Sequence, residues 1–313
     1  MKFPVNFGPL KSDKMRPCPR SVLRIIRVLG LLVFAGALQA CSVMKLAYNQ
    51  APDLAYWYLD GHLDLTGEQS LRLKASLSQL QAWHRQTQLP LYITALQQLQ
   101  QQLPLQTTAA DACAVTADVR GKLATVAQQA EPLAAALAGM LEPGQLRHLE
   151  QKFAKTNIEA QEDAQEDAQE SSGKIRKSKR YRQALSRAES LYGTLDEPQR
   201  AVIARRLEQS RYDSGRLFAE RQRRQRDTLQ TLAPLASSQA SPAQAQAALH
   251  SLVQRTLSPP DAAYRAYLEG LSQENCQSFA ELHNSTTPAQ RSQAVQTLRR
   301  YEQDFRTLNA RKS

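Results

Sequence analysis

Apolar residues along this chain recur every three or four positions rather than every two. Leu73, Leu77, Leu80 and Trp83 fall on one face of a helix. Tyr92, Leu96, Leu99 and Leu103 continue that face beyond Pro90, where the missing N–H and the ring predict a kink or break. Val115, Val119, Leu123 and Val126 mark another helix, with Pro132 disturbing its C-terminal part. Val295, Leu298, Phe305 and Leu308 form a stripe in the last one. Each stripe reads as core packing. No run of alternating Val, Ile or Thr bounded by turns is present, so strands are not expected.

Helix starts punctuate these stripes. Thr66-Gly-Glu-Gln69, Ser241-Pro-Ala-Gln244 and Thr287-Pro-Ala-Gln290 fit a capping box, in which a hydroxyl takes an orphan backbone N–H and the glutamine reaches back three residues. Glu142-Pro-Gly-Gln145, Asp196-Glu-Pro-Gln199 and Ser258-Pro-Pro-Asp261 are looser versions. Proline in a first turn gives up no helical bond, because those N–H groups have no partner anyway. The pattern predicts an all-α fold, a multi-helix bundle of about seven or eight helices. A long central helix pair is expected around residues 145–230.

Residues 159–187 break the pattern. Glu162-Asp-Ala-Gln is followed by Glu166-Asp-Ala-Gln and Glu170, and then Lys174, Arg176, Lys177, Lys179, Arg180 and Arg182. Acids spaced by four repel along a helix face unless the basic block folds against them. The segment is expected to be a charged, exposed arm. Its cations are candidates for a polyanion or partner surface; the alternative is a solvated helix whose charges pair with the neighbouring acids.

Composition fits helix. Glycine is scarce, 12 in 313 residues, and Ala, Leu, Gln, Arg and Glu dominate. The formal charge of +11 would suit nucleic acid, but residues 1–40 hold seven of the basic side chains and a single acid, Asp13. Residues 41–313 carry 33 basic and 28 acidic side chains.

That first segment explains its own charge. Arg16, Arg20, Arg24 and Arg27 precede an apolar run from Val28 to Leu38, then Gln39, Ala40 and Cys41. A positive flank, a short apolar stretch and a small residue before the cut are the parts of an export signal. The run is about half of the ~20 residues a bilayer-crossing helix needs. Met1 or Met15 is the start. Leu38-Gln39-Ala40-Cys41 resembles the lipobox of bacterial lipoproteins. The resemblance implies that residues 1–40 are a cleaved signal peptide, that Cys41 receives fatty acyl chains (a palmitate-type modification), and that 41–313 is a periplasmic domain. Ser42 rather than aspartate implies sorting to the outer membrane, periplasmic face. The anchor makes the membrane a partner and nucleic acid not one.

Four cysteines occur. Cys18 leaves with the leader and Cys41 takes the lipid, so Cys113 and Cys276 remain in an oxidising compartment. They are disulfide candidates; the alternative is two separate buried thiols. Their spacing gives no support to zinc, and no metal or cofactor is expected.

Catalytic patterns are lacking. There is no Gly-x-Ser-x-Gly elbow and no Gly-rich phosphate loop. Trp83, His84 and Arg85 are consecutive, so on a helix they point in three directions about 100° apart. An envelope hydrolase using His84 with Asp60 or Asp64 is the competing reading; the preferred one has Trp83 in the core and His84 and Arg85 bonding back to the N-terminal segment. Tyr48, Tyr56, Trp57 and Tyr58 lie close behind Cys41. Aromatic residues with polar tips favour a membrane interface; packing into the first helices is the alternative.

Tyr48-Asn, Tyr56-Trp-Tyr-Leu-Asp60, Leu63-Asp-Leu-Thr66 with Gln69, Trp83-His-Arg85 and Leu89-Pro90 resemble a family of uncharacterised Gram-negative lipoproteins, a domain of unknown function. Gly193-Thr-Leu195 with Gln199 extends the resemblance. It implies a compartment and a helical fold, but no activity. Leu65-Thr66-Gly-Glu-Gln69 is also similar to the Leu-Thr-x-x-Gln motif of Spy-type periplasmic chaperones, although Leu195-Asp-Glu-Pro-Gln199 departs from it. The expected role is non-enzymatic: a lipid-anchored binding or scaffold protein of the cell envelope, chaperone-like in one version, with an envelope protein, lipopolysaccharide or peptidoglycan as partner. Oligomeric state is not legible.

Overall fold

A computed structural model describes residues 43–171, 173–237 and 240–310. Residues 1–40, expected to be a signal peptide, lie outside the described residues, as do Cys18 and Cys41. The chain divides into a short unit, residues 1–46, and a large unit from Ala47 onward. Among the described residues there are eleven α-helices and no strand.

They are α1 (Val43–Leu63), α2 (Gly67–Thr87), α3 (Leu89–Gln102), α4 (Ala109–Ala138), α5 (Pro143–Ser171), α6 (Lys179–Tyr192), α7 (Glu197–Glu208), α8 (Ser214–Ser237), α9 (Pro242–Leu257), α10 (Ala262–Ser285) and α11 (Pro288–Ala310). Pro90 sits in the first turn of α3 and separates it from α2, the expected break. Pro132 is accommodated within α4. Ser258 does not start a helix: it ends α9, and the Asp261 carboxylate caps α10 by accepting from the Ala263 and Tyr264 N–H groups. Thr108–Asp111 forms a further capping box, in which aspartate takes the place of the usual Glu or Gln.

Two apolar clusters carry the packing. One gathers Leu63, Ala135, Leu149, Leu235 and Leu249, joining the end of α1 to α4, α5, α8 and α9. The other gathers Leu103, Tyr192, Leu195, Ile203 and Leu298, joining α3, α6, α7, α10 and α11. Each fully buried leucine contributes about 1.5–3 kcal/mol. Helix α4, about 45 Å long, packs on α10 with its first half and on α9 with its second. The expected central pair is α5 against α8, where Asn157 and Gln225 exchange amide bonds of 2.8 and 3.1 Å.

The helix corners repeat one device. Gln69 and Gln145 face each other as paired amides, Nε2 to Oε1 at 3.0 and 2.8 Å. Gln69 Nε2 also donates to the Met140 carbonyl at 2.6 Å, and Gln145 Nε2 to the Asp64 carbonyl at 2.9 Å. Gln199 and Gln290 do the same at 2.8 and 2.9 Å, with further bonds to the Ser285 and Thr194 carbonyls at 3.1 and 2.9 Å. In all four cases the carbonyl lies five residues before the partner glutamine. Each Oε1 also accepts from its own helix-capping N–H, those of Thr66, Glu142, Asp196 and Thr287. Every amide donor and acceptor is thus used, which is what burial of a polar group demands.

The surroundings repeat as well. Leu73, Leu149, Ile203 and Ala294, each four residues after a clasp glutamine, are all buried. A carboxylate on the preceding helix, Asp60 or Glu189, accepts from the N–H of Leu65 or Leu195. Asp64 and Gly193 at these corners adopt positive φ, 51° and 77°, a conformation that Gly and Asp tolerate best. Helices α2, α3, α4 and α5 therefore correspond to α7, α8, α10 and α11. The packed pairs agree: α3 lies on α11 as α8 lies on α5, and α2 on α4 as α7 on α10. Helix α9 is an addition to the second half.

Candidate functional site

The N-terminal aromatics divide between two sides of α1. Tyr48 turns inward, its hydroxyl 3.0 Å from His84 Nδ1, and Tyr56 donates to Ser70 Oγ at 3.3 Å with Lys74 Nζ 4.1 Å above its ring. Trp57 and Tyr58 turn outward, 62% and 65% exposed, with Leu54 beside them. Residues 54, 57, 58 and 61 share one side of a 3.6-residue helix, so this is an exposed apolar and aromatic face, with the Tyr58 ring at its edge, 4.3 Å from the His62 ring.

His84 sits half-buried between two tyrosines. Its Nε2 is 3.3 Å from the Tyr92 hydroxyl, and burial holds its pKa below the usual value. Arg85 donates to Asn49 Oδ1 at 3.3 Å. Both therefore tie α2 to α1. No bond among the described residues joins His84 to Asp60 or Asp64, and Asp60 is engaged in capping Leu65.

The basic stretch folds back on the acidic one. Lys179 Nζ lies 3.1 Å from Asp163, and its backbone N–H bonds Asp167. Arg176 pairs with Glu197 at 2.6 Å, Arg180 stacks 3.8 Å over the Tyr212 ring, and Arg182 bonds the Lys177 carbonyl. Lys174 and Lys177 are exposed. Tyr181, buried in the second cluster, docks α6 into the core, so the basic part of 159–187 is bound to the body while the acid-bearing turns of α5 are exposed.

Cys113 and Cys276 form a disulfide across α4 and α10, Cα–Cα 5.3 Å. Nearby lies a residue the sequence did not single out. His283 is buried, its Nε2–H donating to the Leu105 carbonyl at 2.8 Å and its Nδ1 accepting from Tyr192 at 2.8 Å. Burial lowers its pKa and raises that of Tyr192. It locks the α3–α4 link to α6, a structural task. Glu131, also buried, bonds His250 at 2.9 Å and ties α4 to α9.

Two kinds of groove open on the surface. One runs between α3, α4, α10 and α11 as adjoining spaces of roughly 310 and 400 Å³. Its walls are Leu99, Val115, Phe279 and Phe305, with Val119 and Leu123 at the rim. Those last two are 49% and 62% exposed, so half of the α4 stripe expected in the core lies open: α3 packs on α11 rather than closing over α4. The other groove, about 720 Å³, lies between α5, α8 and α10 beside the end of α1, and is lined by aromatic rings and arginines.

No group of three or more His, Cys, Asp or Glu among the described residues is placed to hold a metal, and no described helix is long and apolar enough to cross a membrane. The structure defines an all-helical protein closed by two amide clasps and a disulfide. A family of unknown function (DUF6279) matches residues 61–265, and the chain belongs to it. No curated protein and no solved structure matches this chain.

Proposed function

We propose that this chain is a non-enzymatic, lipid-anchored binding or scaffold protein of the cell envelope, tethered through Cys41 at the periplasmic face of the outer membrane. The observation that carries the reading is the outward face of α1. The helix begins at Val43, two residues after Cys41, and presents Leu54, Trp57 and Tyr58 to the surroundings. Such a face is costly in water and suited to the boundary between head groups and acyl chains. Acyl chains on the preceding cysteine would bring that face to the membrane and fix the orientation of the rest. Confinement to a surface raises the effective concentration of the domain for other envelope components. The open α3–α4 groove supplies apolar surface for holding a partner segment. A disulfide joining distant helices accords with an oxidising compartment.

Tryptophan emission tests the membrane contact. In vesicles carrying the lipidated protein, brominated acyl chains should quench the wild type more than Trp57→Phe, which retains only Trp83. Equal quenching of the two proteins would remove the α1 face from the proposal.

A further inference from the structure

The clasp glutamines set a common register for the two halves, and that register pairs the grooves. Val119 and Leu123, at the rim of the apolar groove, stand 26 and 22 residues before Gln145; Tyr264 and Leu268, in the other groove, stand 26 and 22 before Gln290. The same place between corresponding helices is open in both halves, with different linings. In the first half it is apolar. In the second it holds Arg221 and Arg224 of α8, with Tyr58, His62 and Tyr264 around them.

The second lining is unbalanced in charge. Glu220, buried, is shared by Arg223 at 2.7 Å and Arg224 at 2.7 Å. Asp227 is shared by Arg223 at 3.2 Å and Arg255 at 2.7 Å. Two carboxylates thus serve three guanidiniums. The fourth, Arg221, is exposed and among the described residues bonds the Thr156 carbonyl at 3.4 Å, so the groove lining holds two guanidiniums, Arg221 and Arg224, against the single carboxylate of Glu220. The buried Glu220 also fixes the Arg224 fork: its Nε is used on Glu220, and its terminal N–H groups are left for a ligand.

Beyond the arginines, the groove lining offers two further donors, the hydroxyls of Tyr58 and Tyr264. The His62 ring gives Nδ1–H to the Tyr58 carbonyl at 2.7 Å, which leaves Nε2 of the neutral ring an acceptor that adds no donor to the set. The Tyr58 and Tyr264 hydroxyls have no bond among the described residues. Thr156 and Thr228 donate to carbonyls of their own helix and offer no further proton. A carboxylate, with two oxygens, would leave part of this donor set unused; a tetrahedral phosphate carries more acceptors and suits the arginine fork.

We propose that the groove between α5, α8 and α10 is a binding site for a phosphate group, free or borne on a lipid head group. The inference does not depend on the membrane reading, because phosphate in solution is enough to test it. Titration calorimetry of the purified protein would use inorganic phosphate and a short-chain phosphatidic acid below its micellar concentration. Losing one charge-assisted contact costs about tenfold in affinity. Arg221→Gln should therefore weaken binding roughly tenfold or more, while Arg226→Gln, on the same helix outside the groove, should change it less than about twofold. Tighter binding of the short-chain lipid than of inorganic phosphate would assign the site to a head group, and equal binding would assign it to free phosphate. The proposal is overturned if neither probe binds the wild type, or if the two arginine variants weaken binding equally.

Discussion

Gln199→Leu is expected to lower the free energy of unfolding by about 3–5 kcal/mol, among the largest effects of any single uncharged substitution in this chain. Gln199 is 1% exposed. Its loss would remove one donor and one acceptor bond of the Gln290 amide and leave the Ser285 carbonyl and the Asp196 N–H without that side chain's bonds. A buried polar group left without a partner costs about 1–3 kcal/mol, and relaxation recovers part of the sum. The same reasoning makes Gln199 and Gln290 strongly coupled. Changing both to leucine should cost at least 1 kcal/mol less than the two single changes added together, because each single change already removes both bonds between the two amides. Gln69 with Gln199, one from each clasp, should add within about 0.5 kcal/mol. Denaturant unfolding of the singles and doubles measures this. Additivity inside a clasp would show that the paired amides do not act as a unit.

The second large effect is expected at the disulfide. Cys113 and Cys276 close a loop with a sequence separation of 163 residues. The chain-entropy model gives about 5 kcal/mol for a loop of that length. For a domain of this size that corresponds to a drop in Tm of roughly 10 °C or more. Thermal melts with and without reductant should differ by this amount. Cys113→Ala should melt like the reduced wild type and ignore the reductant. A shift below about 2 °C on reduction would mean that the α4–α10 contact is held by packing alone.

What the sequence made legible was local. Thr66 with Gln69 and Ser241 with Gln244 cap helices as their spacing requires, because a capping box is complete within four residues. The clasps are not legible there, although all four glutamines occupy capping positions in the sequence. Pairing Gln69 with Gln145, or Gln199 with Gln290, depends on how distant corners meet, and no local rule contains that. Leu195-Asp-Glu-Pro-Gln199 looked like a departure from the pattern at Leu65–Gln69, yet the two corners have the same geometry: aspartate caps as threonine does, and the glutamine performs the shared task.

The long stripes show a similar division. Val295, Leu298 and Leu308 are buried as expected. Val119 and Leu123 obey the same period and are open, since periodicity says which residues share a face but not whether another helix covers it. His84 and Arg85 do bond back to the N-terminal segment, through Tyr48 and Asn49 rather than through acids. The groove holding Arg221 was out of reach of any local reading. Its walls come from the end of α1 and from α5, α8 and α10, residues from 58 to 268, and Arg221 is distinguished from its neighbours only by which of them found carboxylates.

Membrane fractionation of cells expressing the wild type and Cys41→Ala tests the central claim most directly, with incorporation of labelled palmitate as the second readout. The wild type should take up the label and sediment with the outer membrane, and Cys41→Ala should carry no label and appear in the soluble periplasmic fraction. An unlabelled wild type, or a Cys41→Ala protein that still sediments with membranes, would contradict the account.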